Sequence, residues 1–310
     1  MKTPITSNWR PLSRALSAFL VTIVALWAVP RNAHAQLYVT QITDPALGRG
    51  IVSEYDSTSG QLIKHDFIQG LKGPSSLALS DNTLFVGNYG FGAYDLVGKY
   101  DATTGAAIDD RFIRGLHPTA LAVFENTLFV ANYDDTYRER VGKYDATTGA
   151  EIGLSHHIEG LNGTALALFR NLLWVAGVPD GGLSANTVGV FNADTGEAIP
   201  SKFFKTPGHT SALALWDFSL GIAVFKIFVA DFDAGTVGKY HTQTGAVIND
   251  GFIKGLNYPT ALAVVGDTLF VLNSGNGTIG AYDTKTGAAI NANFIAGLKN
   301  PNALAIKATK

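Results

Sequence analysis

Aromatic and charged side chains are concentrated in two stretches of the chain, 89–95 and 133–140. On exposed loops such side chains bind sugars, peptides and polar metabolites, because rings supply contact area and charges supply orientation. The alternative is that they are solvated loop residues without a ligand. The candidate ligand-binding residues are Tyr89, Phe91, Tyr94, Asp95, Tyr133, Asp134, Asp135, Tyr137, Arg138 and Arg140.

Two histidines, His117 in GLHPTA and His209 in PGHTSA, occur in similar sequence contexts and are also candidate site residues. If they converge with Asp134 or Asp231, they could hold a divalent metal such as calcium or zinc, or transfer protons. The motif DFDAG at 231–235 matches only the start of a calcium loop and predicts a turn instead. No GxSxG, HExxH or phosphate-loop motif is present, so the sequence indicates no nucleophile or cofactor site.

These residues belong to a unit that occurs six times with spacings of 42 to 49 residues. Each copy contains an aromatic residue, then Asp or a substitute, then a turn that ends in glycine. A period in the forties with several short strand-like segments per copy indicates propeller blades, whereas helical repeats need long amphipathic helices, which residues 36–310 lack. The turn glycines are Gly60, Gly105, Gly149, Gly196, Gly245 and Gly287.

Each copy divides into four predicted strands. The first is apolar on both faces, as in ALAVF from Ala120, which is typical of an innermost strand between neighbouring blades. The third reads VGKYD or a relative, and the fourth ends in FIxGL or a relative. The second carries an aromatic residue that we expect to pack between blades: Tyr38, Phe85, Phe129, Trp174, Phe228 and Phe270. The sequence therefore predicts an all-β, six-bladed β-propeller with four antiparallel strands per blade.

The chain starts and ends out of phase with these blades. After residue 35 the first predicted strand, Leu37–Thr40, is of the second type, and the last, Ala303–Lys307, is of the first type. We expect the C-terminal strand to complete the N-terminal blade, so that the ring closes without an open sheet edge.

Residues 1–35 predict a cleaved export signal. Basic residues precede an apolar run at 15–30, and the motif AHA at 33–35 supplies small residues for cleavage after Ala35. An uncleaved anchor is the alternative. We expect the domain 36–310 to be secreted or periplasmic, with no membrane span.

The charge balance argues against nucleic acid as a partner. The chain has 23 basic and 25 acidic residues, and four basic but no acidic residues lie in 1–35, which leaves 19 against 25 in the domain. A net charge of −6 disfavours nucleic acid and anionic membrane surfaces. We expect a monomer. Because the chain has no cysteine, the domain must be stabilised by burial rather than by disulfides.

With PTALAVFENTLFVANY at 118–133 and VGKYDATTG at 141–149, the chain resembles the NHL-repeat propellers and the related YVTN-type propellers of exported microbial proteins. The resemblance spans about Leu37–Lys307 and implies the architecture above. It implies no single function, because such propellers include binding modules, lactonase-like hydrolases and lyases. Their second strands often end in Asp or Asn, which we expect to hold the following loop through backbone hydrogen bonds, with ligand contact as the alternative. Here Asn88, Asn132, Asp231 and Asn273 match, while Gln41 and Gly177 do not.

One face of the predicted propeller, here called the mouth face, carries the loops that join strand two to strand three and strand four to the next blade. Insertions on this face are where binding is usually built. We expect four long loops to form a wall along one side of the mouth, with a lower rim opposite. The long loops between strands two and three are 42–51, 89–96, 133–140 and 178–187, and the short ones are 232–236 and 274–278.

Three further features complete the predicted surface. Small polar residues begin the inner strands, where they either bond the turn backbone or meet a ligand: Ser75, Thr119, Thr164, Ser211, Thr260 and Asn302. An apolar insertion at 217–226 lies on the opposite face, as a partner contact or as a plug of the channel. Asn162 and Asn276 begin NGT sequons.

These patterns favour an exported, non-catalytic binding propeller that recognises a polar ligand or a protein partner through the mouth face, without a cofactor. The alternative is a metal-assisted hydrolase or lyase, of the gluconolactonase or streptogramin-lyase kind. In that case His117 and His209 would act at the channel mouth.

Overall fold

The computed structural model describes residues 35–89, 95–133, 139–153, 158–161, 165–177, 187–216 and 226–307. They lie within one compact unit, His34–Lys310. Their ordered elements are 24 β-strands and one turn of 3-10 helix, Pro200–Lys202. No helix in these ranges is both long and apolar enough to cross a membrane.

The strands are numbered in chain order. They are β1 (Gln36–Asp44), β2 (Arg49–Asp56), β3 (Leu62–Lys72), β4 (Pro74–Ser80), β5 (Thr83–Asn88), β6 (Leu96–Asp101), β7 (Ala107–Arg114), β8 (His117–Phe124), β9 (Thr127–Tyr133), β10 (Glu139–Asp145), β11 (Ile158–Leu161), β12 (Leu166–Phe169), β13 (Leu172–Ala176), β14 (Thr187–Asn192), β15 (Phe204–Lys205), β16 (Thr210–Trp216), β17 (Lys226–Asp231), β18 (Thr236–His241), β19 (Val247–Ile253), β20 (Pro259–Val265), β21 (Thr268–Asn273), β22 (Thr278–Asp283), β23 (Ala289–Ile295) and β24 (Pro301–Lys307).

These strands form six four-stranded sheets, which confirms the predicted propeller. Blade I has the order β24-β1-β2-β3, and blades II to VI each use four consecutive strands, starting at β4, β8, β12, β16 and β20. Every strand pairing is antiparallel, as expected of strands joined by short hairpins.

The seam in blade I joins the two ends of the chain, as predicted. β24 pairs with β1 from Gln36 opposite Lys307 to Val39 opposite Leu304. The Thr40 hydroxyl accepts the backbone N–H of Ala303 at 2.8 Å. Because this blade contains both ends of the domain, closure of the ring depends on a few residues of β24.

The core lies between blades rather than inside any one of them. Phe85 of blade II is buried with Leu121, Leu128 and Tyr144 of blade III, and the other clusters of buried residues also join two neighbouring blades. The predicted second-strand aromatics are all at most 5 % exposed, which confirms their role in packing. Each blade therefore requires its neighbour to bury its apolar face.

The ring of small polar residues joins neighbouring inner strands near the mouth. The hydroxyls of Ser75 and Ser211 donate to the carbonyls of Pro118 and Pro259 at 2.7 and 2.5 Å. Each of these bonds connects one blade to the next. At those two positions the hydroxyls bond backbone, as predicted, but the acceptors belong to the next inner strand rather than to the turn. Thr164 lies outside the described residues.

The predicted wall of long loops differs in blade I. There Gln41 pairs with Ile51 and Ile42 with Gly50, so the hairpin extends β1 and β2 and leaves only 45–48 as a loop. The pattern did not show this extension because the residues that form it, ITD at 42–44 and RGI at 49–51, do not alternate apolar and polar in step with each other. The other long loops are largely outside the described residues, as are residues 217–225 of the apolar insertion.

Candidate functional site

In blades II, V and VI two positions approach each other on the mouth face: the residue after strand two and the residue before strand one. A backbone N–H···O bond joins them, from Tyr89 to Gly73 at 2.8 Å, from Phe232 to His209 at 2.9 Å and from Ser274 to the Tyr258 carbonyl at 3.0 Å. The fold thereby places the residues at these two positions at the mouth.

Side chains at these positions also meet across blade boundaries. Tyr89 of blade II contacts His117 of blade III edge to face, with ring centroids 6.0 Å apart. Phe232 of blade V stacks on Tyr258 of blade VI, with centroids 4.8 Å apart and planes 26° apart. The two boundaries are three blades apart in a ring of six, so the two ring pairs lie on opposite sides of the mouth.

The first pair rests on a buried carboxylate. Asp95 begins the segment that leads into β6, and its side chain is only 6 % exposed. Its Oδ2 lies 3.2 Å from Nε2 of His117. The backbone N–H of His117 donates to Oδ1 of Asn132. Contacts to both the ring and the backbone therefore fix the position of this imidazole, which is the usual way in which a carboxylate orients a histidine.

The second pair extends into a larger cluster. The His209 ring lies 5.8 Å from Phe232, and its Nδ1 is 3.9 Å from the exposed carboxylate of Asp233. Behind it, Asp231 is 6 % exposed; its Oδ1 accepts the N–H of Ala234 at 3.0 Å, while its Oδ2 is buried without a hydrogen-bond partner. The turn predicted for 231–235 is therefore present.

The prediction that the Asp or Asn at the end of strand two holds the following loop is confirmed for Asp231. In two other blades the side chain instead bonds the backbone where the inner strand starts. Asn132 accepts the backbone N–H of His117, the first residue of β8, and Asn273 accepts that of Asn257, which precedes β20. Gln41 does the same for Lys299 at 2.9 Å. The longer glutamine of blade I thus makes the same kind of contact as Asn132 and Asn273.

No group of three or more His, Asp or Glu side chains within the described ranges is arranged to hold a metal ion. The contacts of His117 are with Asp95 and Tyr89, and those of His209 are with Asp233 and Phe232. A shared centre of His117, His209 and Asp231 is not formed in this structure. Asp134, the other predicted ligand, lies outside the described residues.

Of the remaining predicted ligand-binding residues, Tyr89 is exposed on the mouth face. The backbone of Tyr133 ends β9 opposite His117, and Arg140 lies in β10. The others are outside the described residues: Phe91, Tyr94, Asp134, Asp135, Tyr137 and Arg138.

Sequence reasoning missed Phe232 and Tyr258, because both belong to the low rim where no insertion occurs. The residue types at the two mouth positions could have indicated these rings, whereas loop length could not. Aligned across blades, the residue two positions before the small polar residue of the inner strand is Gly73, His117, His209, Tyr258 or Asn300. The residue after the Asp, Asn or Gln near the end of strand two is Ile42, Tyr89, Tyr133, Phe232 or Ser274.

Neither a family model nor a curated protein sequence matches the chain. Among solved structures 825 chains match, so the fold is widespread and does not by itself specify a function. One of them comes from the crystal structure of a nidogen/laminin complex. It aligns with a TM-score of 0.65 over 88 % of this chain and 98 % of that chain, at 15 % identity. The likeness shows the six-bladed β-propeller fold.

Proposed function

We propose that the chain is an exported, non-catalytic binding propeller that recognises a protein partner or polar ligand through the mouth face. The observation that carries the proposal is the presence of two ring pairs on opposite sides of the mouth, Tyr89–His117 and Phe232–Tyr258. Exposed rings that are already fixed by contacts lose little side-chain entropy on binding, and aromatic residues dominate binding hot spots.

Two further points support this proposal. The chain resembles NHL-repeat and YVTN-type propellers, which include exported binding modules. The structure of similar fold comes from a complex between proteins, so a protein partner is the first expectation. Residues 1–35 provide the export signal in this proposal, and the domain acts as a monomer in the periplasm or outside the cell.

Site-specific photocrosslinking tests the proposal. A photoreactive phenylalanine analogue replaces Tyr89 on the mouth face. In the matched control it replaces the half-exposed Phe124, which ends β8, the strand that begins at the mouth with His117. The domain is then irradiated with the extracellular protein and glycan fraction of its source. We expect a discrete adduct from position 89 alone. Equal adducts from both positions, or an adduct from position 124 alone, would contradict the proposal.

A metal-assisted hydrolase or lyase is the second candidate. The buried Asp95 carboxylate next to Nε2 of His117 favours it, because such a pair suits an imidazole that transfers protons. In this case His117 and His209 are the catalytic candidates, and calcium or zinc is the candidate cofactor. Metal analysis of purified protein and assays on a panel of lactones test it. A stoichiometric ion that is lost in H117A/H209A, together with turnover, would replace the binding proposal.

A further inference from the structure

Tyr258 has a backbone conformation that its residue type disfavours. Its φ is +51°, in the left-handed region, where a bulky aromatic residue is rare. Gly73 and Asn300 occupy the same position in blades II and I, with φ of +58° and +40°. Glycine and asparagine accept this conformation at low cost, so the position itself does not require a tyrosine. The reason for the tyrosine must lie in its ring.

The surrounding loop holds Tyr258 firmly. Its carbonyl accepts the backbone N–H of Ser274 at 3.0 Å and the Ser274 hydroxyl at 2.9 Å. The N–H of Gly275 donates to the Asn257 carbonyl at 3.1 Å. A Cβ at Gly275 would come within 2.6 Å of the Tyr258 ring, so the glycine leaves room for it. The ring is 50 % exposed and is fixed against Phe232.

The cluster that contains this ring also contains two carboxylates. Asp233 is 72 % exposed and is in contact with His209, which in turn contacts Phe232. Asp231, the residue before Phe232, adds a buried carboxylate whose Oδ2 has no hydrogen-bond partner. An aromatic face next to carboxylates attracts a cation, through the ring quadrupole and through direct charge attraction. An anionic ligand such as a phosphate would be repelled.

We propose that the cluster Tyr258, Phe232, His209 and Asp233 binds a cationic side chain, arginine or lysine, of a protein partner. Arginine fits best, because a guanidinium stacks flat on an aromatic ring while its N–H groups donate to a carboxylate. A neutral sugar would use the ring but would gain nothing from the charges, so it is the weaker match. The inference rests on the proposed function of the mouth face and names the chemistry recognised at one side of it.

The probe is acetyl-arginine amide, with acetyl-citrulline amide as its uncharged counterpart of nearly the same shape. Saturation-transfer NMR with the purified domain measures the affinity of each. We expect the arginine compound to bind at least about tenfold more tightly than the citrulline compound. Tyr258→Asn and Asp233→Asn should each weaken arginine binding about tenfold, and Phe124→Ala on the opposite face should leave it unchanged.

A stability measurement separates loss of the site from loss of the fold. Because Asn300 occupies the same conformation in blade I, Tyr258→Asn should keep or raise the unfolding midpoint, by about 2 °C. The proposal is overturned if the two compounds bind with equal affinity, or if Tyr258→Asn leaves arginine binding unaffected. Binding of the neutral sugar cellopentaose at this ring, in place of arginine, would also overturn it. If position 89 crosslinks to a partner but arginine does not bind, this inference fails while the proposed function stands.

Discussion

Lys239 in β18 is the most enclosed charged side chain among the described residues. It is 3 % exposed, and its Nζ lies 4.9, 5.6 and 4.6 Å from the ring centroids of Trp216, Phe228 and Phe252. The same Nζ donates to the carbonyl of Thr284 in the next blade at 2.7 Å. The residue joins blades V and VI, and the rings around it exclude water.

This enclosure has a consequence for stability as a function of pH. Burial lowers the pKa of Lys239 from 10.5 to about 8; Lys226 acts in the same direction and Asp283 opposes it. From about pH 8 to about pH 10 the unfolded chain therefore binds more protons than the folded protein, so stability should rise with pH. Thermal unfolding measured across this range should show the rise.

Above about pH 10 the trend should reverse. Burial raises the pKa of Tyr100, Tyr144 and Tyr240 to about 12, so the unfolded chain loses these protons first and stability falls. Lys239→Met should remove the rise and keep the fall. Lys143→Met, at the corresponding position of blade III, is the control and should keep both. A rise that persists in Lys239→Met would show that another group causes it.

The turn between strands three and four is the element that recurs most regularly. In blade III, Oδ1 of Asp145 accepts the N–H groups of Thr147 and Thr148, at 2.9 and 2.7 Å, and the Thr148 hydroxyl at 3.0 Å. The chain then continues through Gly149 at a φ of +75°, which favours glycine. In blade IV an asparagine, Asn192, accepts the equivalent N–H groups.

Substitutions at Asp145 separate the geometry of this turn from its charge. At pH 7, Asp145→Asn should keep the unfolding midpoint because the amide oxygen still accepts the turn N–H groups, as in Asn192. Asp145→Ala should lower the midpoint by about 2 °C. Thermal unfolding of the three proteins at one pH tests both expectations.

Thermal unfolding of the same proteins at acidic pH tests the role of the negative charge of Asp145. Hydrogen bonds from Thr148, followed by those from Thr147 and Asn126, lower the pKa of Asp145. The unfolded chain therefore takes up this proton first, and stability falls as the pH drops below the ordinary value of 3.8. Asp145→Asn should lose less stability than the wild type between pH 7 and about pH 3. An equal loss in both proteins would contradict the assignment.

At the scale of the whole molecule, stability depends on the seam in blade I. Leu37 and Val39 are fully buried, and they pair with Ile306 and Leu304 of β24. Without β24 the innermost position of this blade would be empty, and β1 would present an unpaired edge to the channel. Blades II and VI would also lose packing, because Ala303 and Ala305 are buried with blade II and Leu304 is buried with blade VI.

Deletion of residues 301–310 should therefore abolish the cooperative thermal transition, whereas deletion of 308–310 alone should not. A synthetic peptide covering 297–310, added in trans, should restore the transition of the longer deletion. Circular dichroism at increasing temperature provides the measurement. A cooperative transition in the 301–310 deletion without the peptide would show that five blades and three strands suffice.

The architecture was predictable because its causes are local and periodic. Each signal spans only a few residues: an apolar inner strand such as ALAVF from Ala120, a turn glycine, or the strand type at each end of the domain. The first two recur in six copies, so each copy supports the assignment of the others. The extended hairpin at 42–51 was not predictable, because its pairing depends on two strands rather than on the apolar pattern of either.

The candidate site was predictable only in part. The position of His117 and Tyr89 on the mouth face followed from their place in the repeat, but the contact between them did not. The repeat pattern also did not predict that Tyr258 stacks on Phe232. The arrangement of the blades produces this contact, and it keeps His117 apart from His209.

The sequence by itself determined the number of blades, the strands of each and the closure by the C-terminal strand. Only the tertiary structure decided which side chains meet at the mouth, for example Asp95 with His117. The physical reason is that these contacts cross boundaries between blades, where no hydrogen-bonded ladder sets the register. Their partners are chosen by the packing distance and twist of neighbouring sheets, which no single repeat encodes.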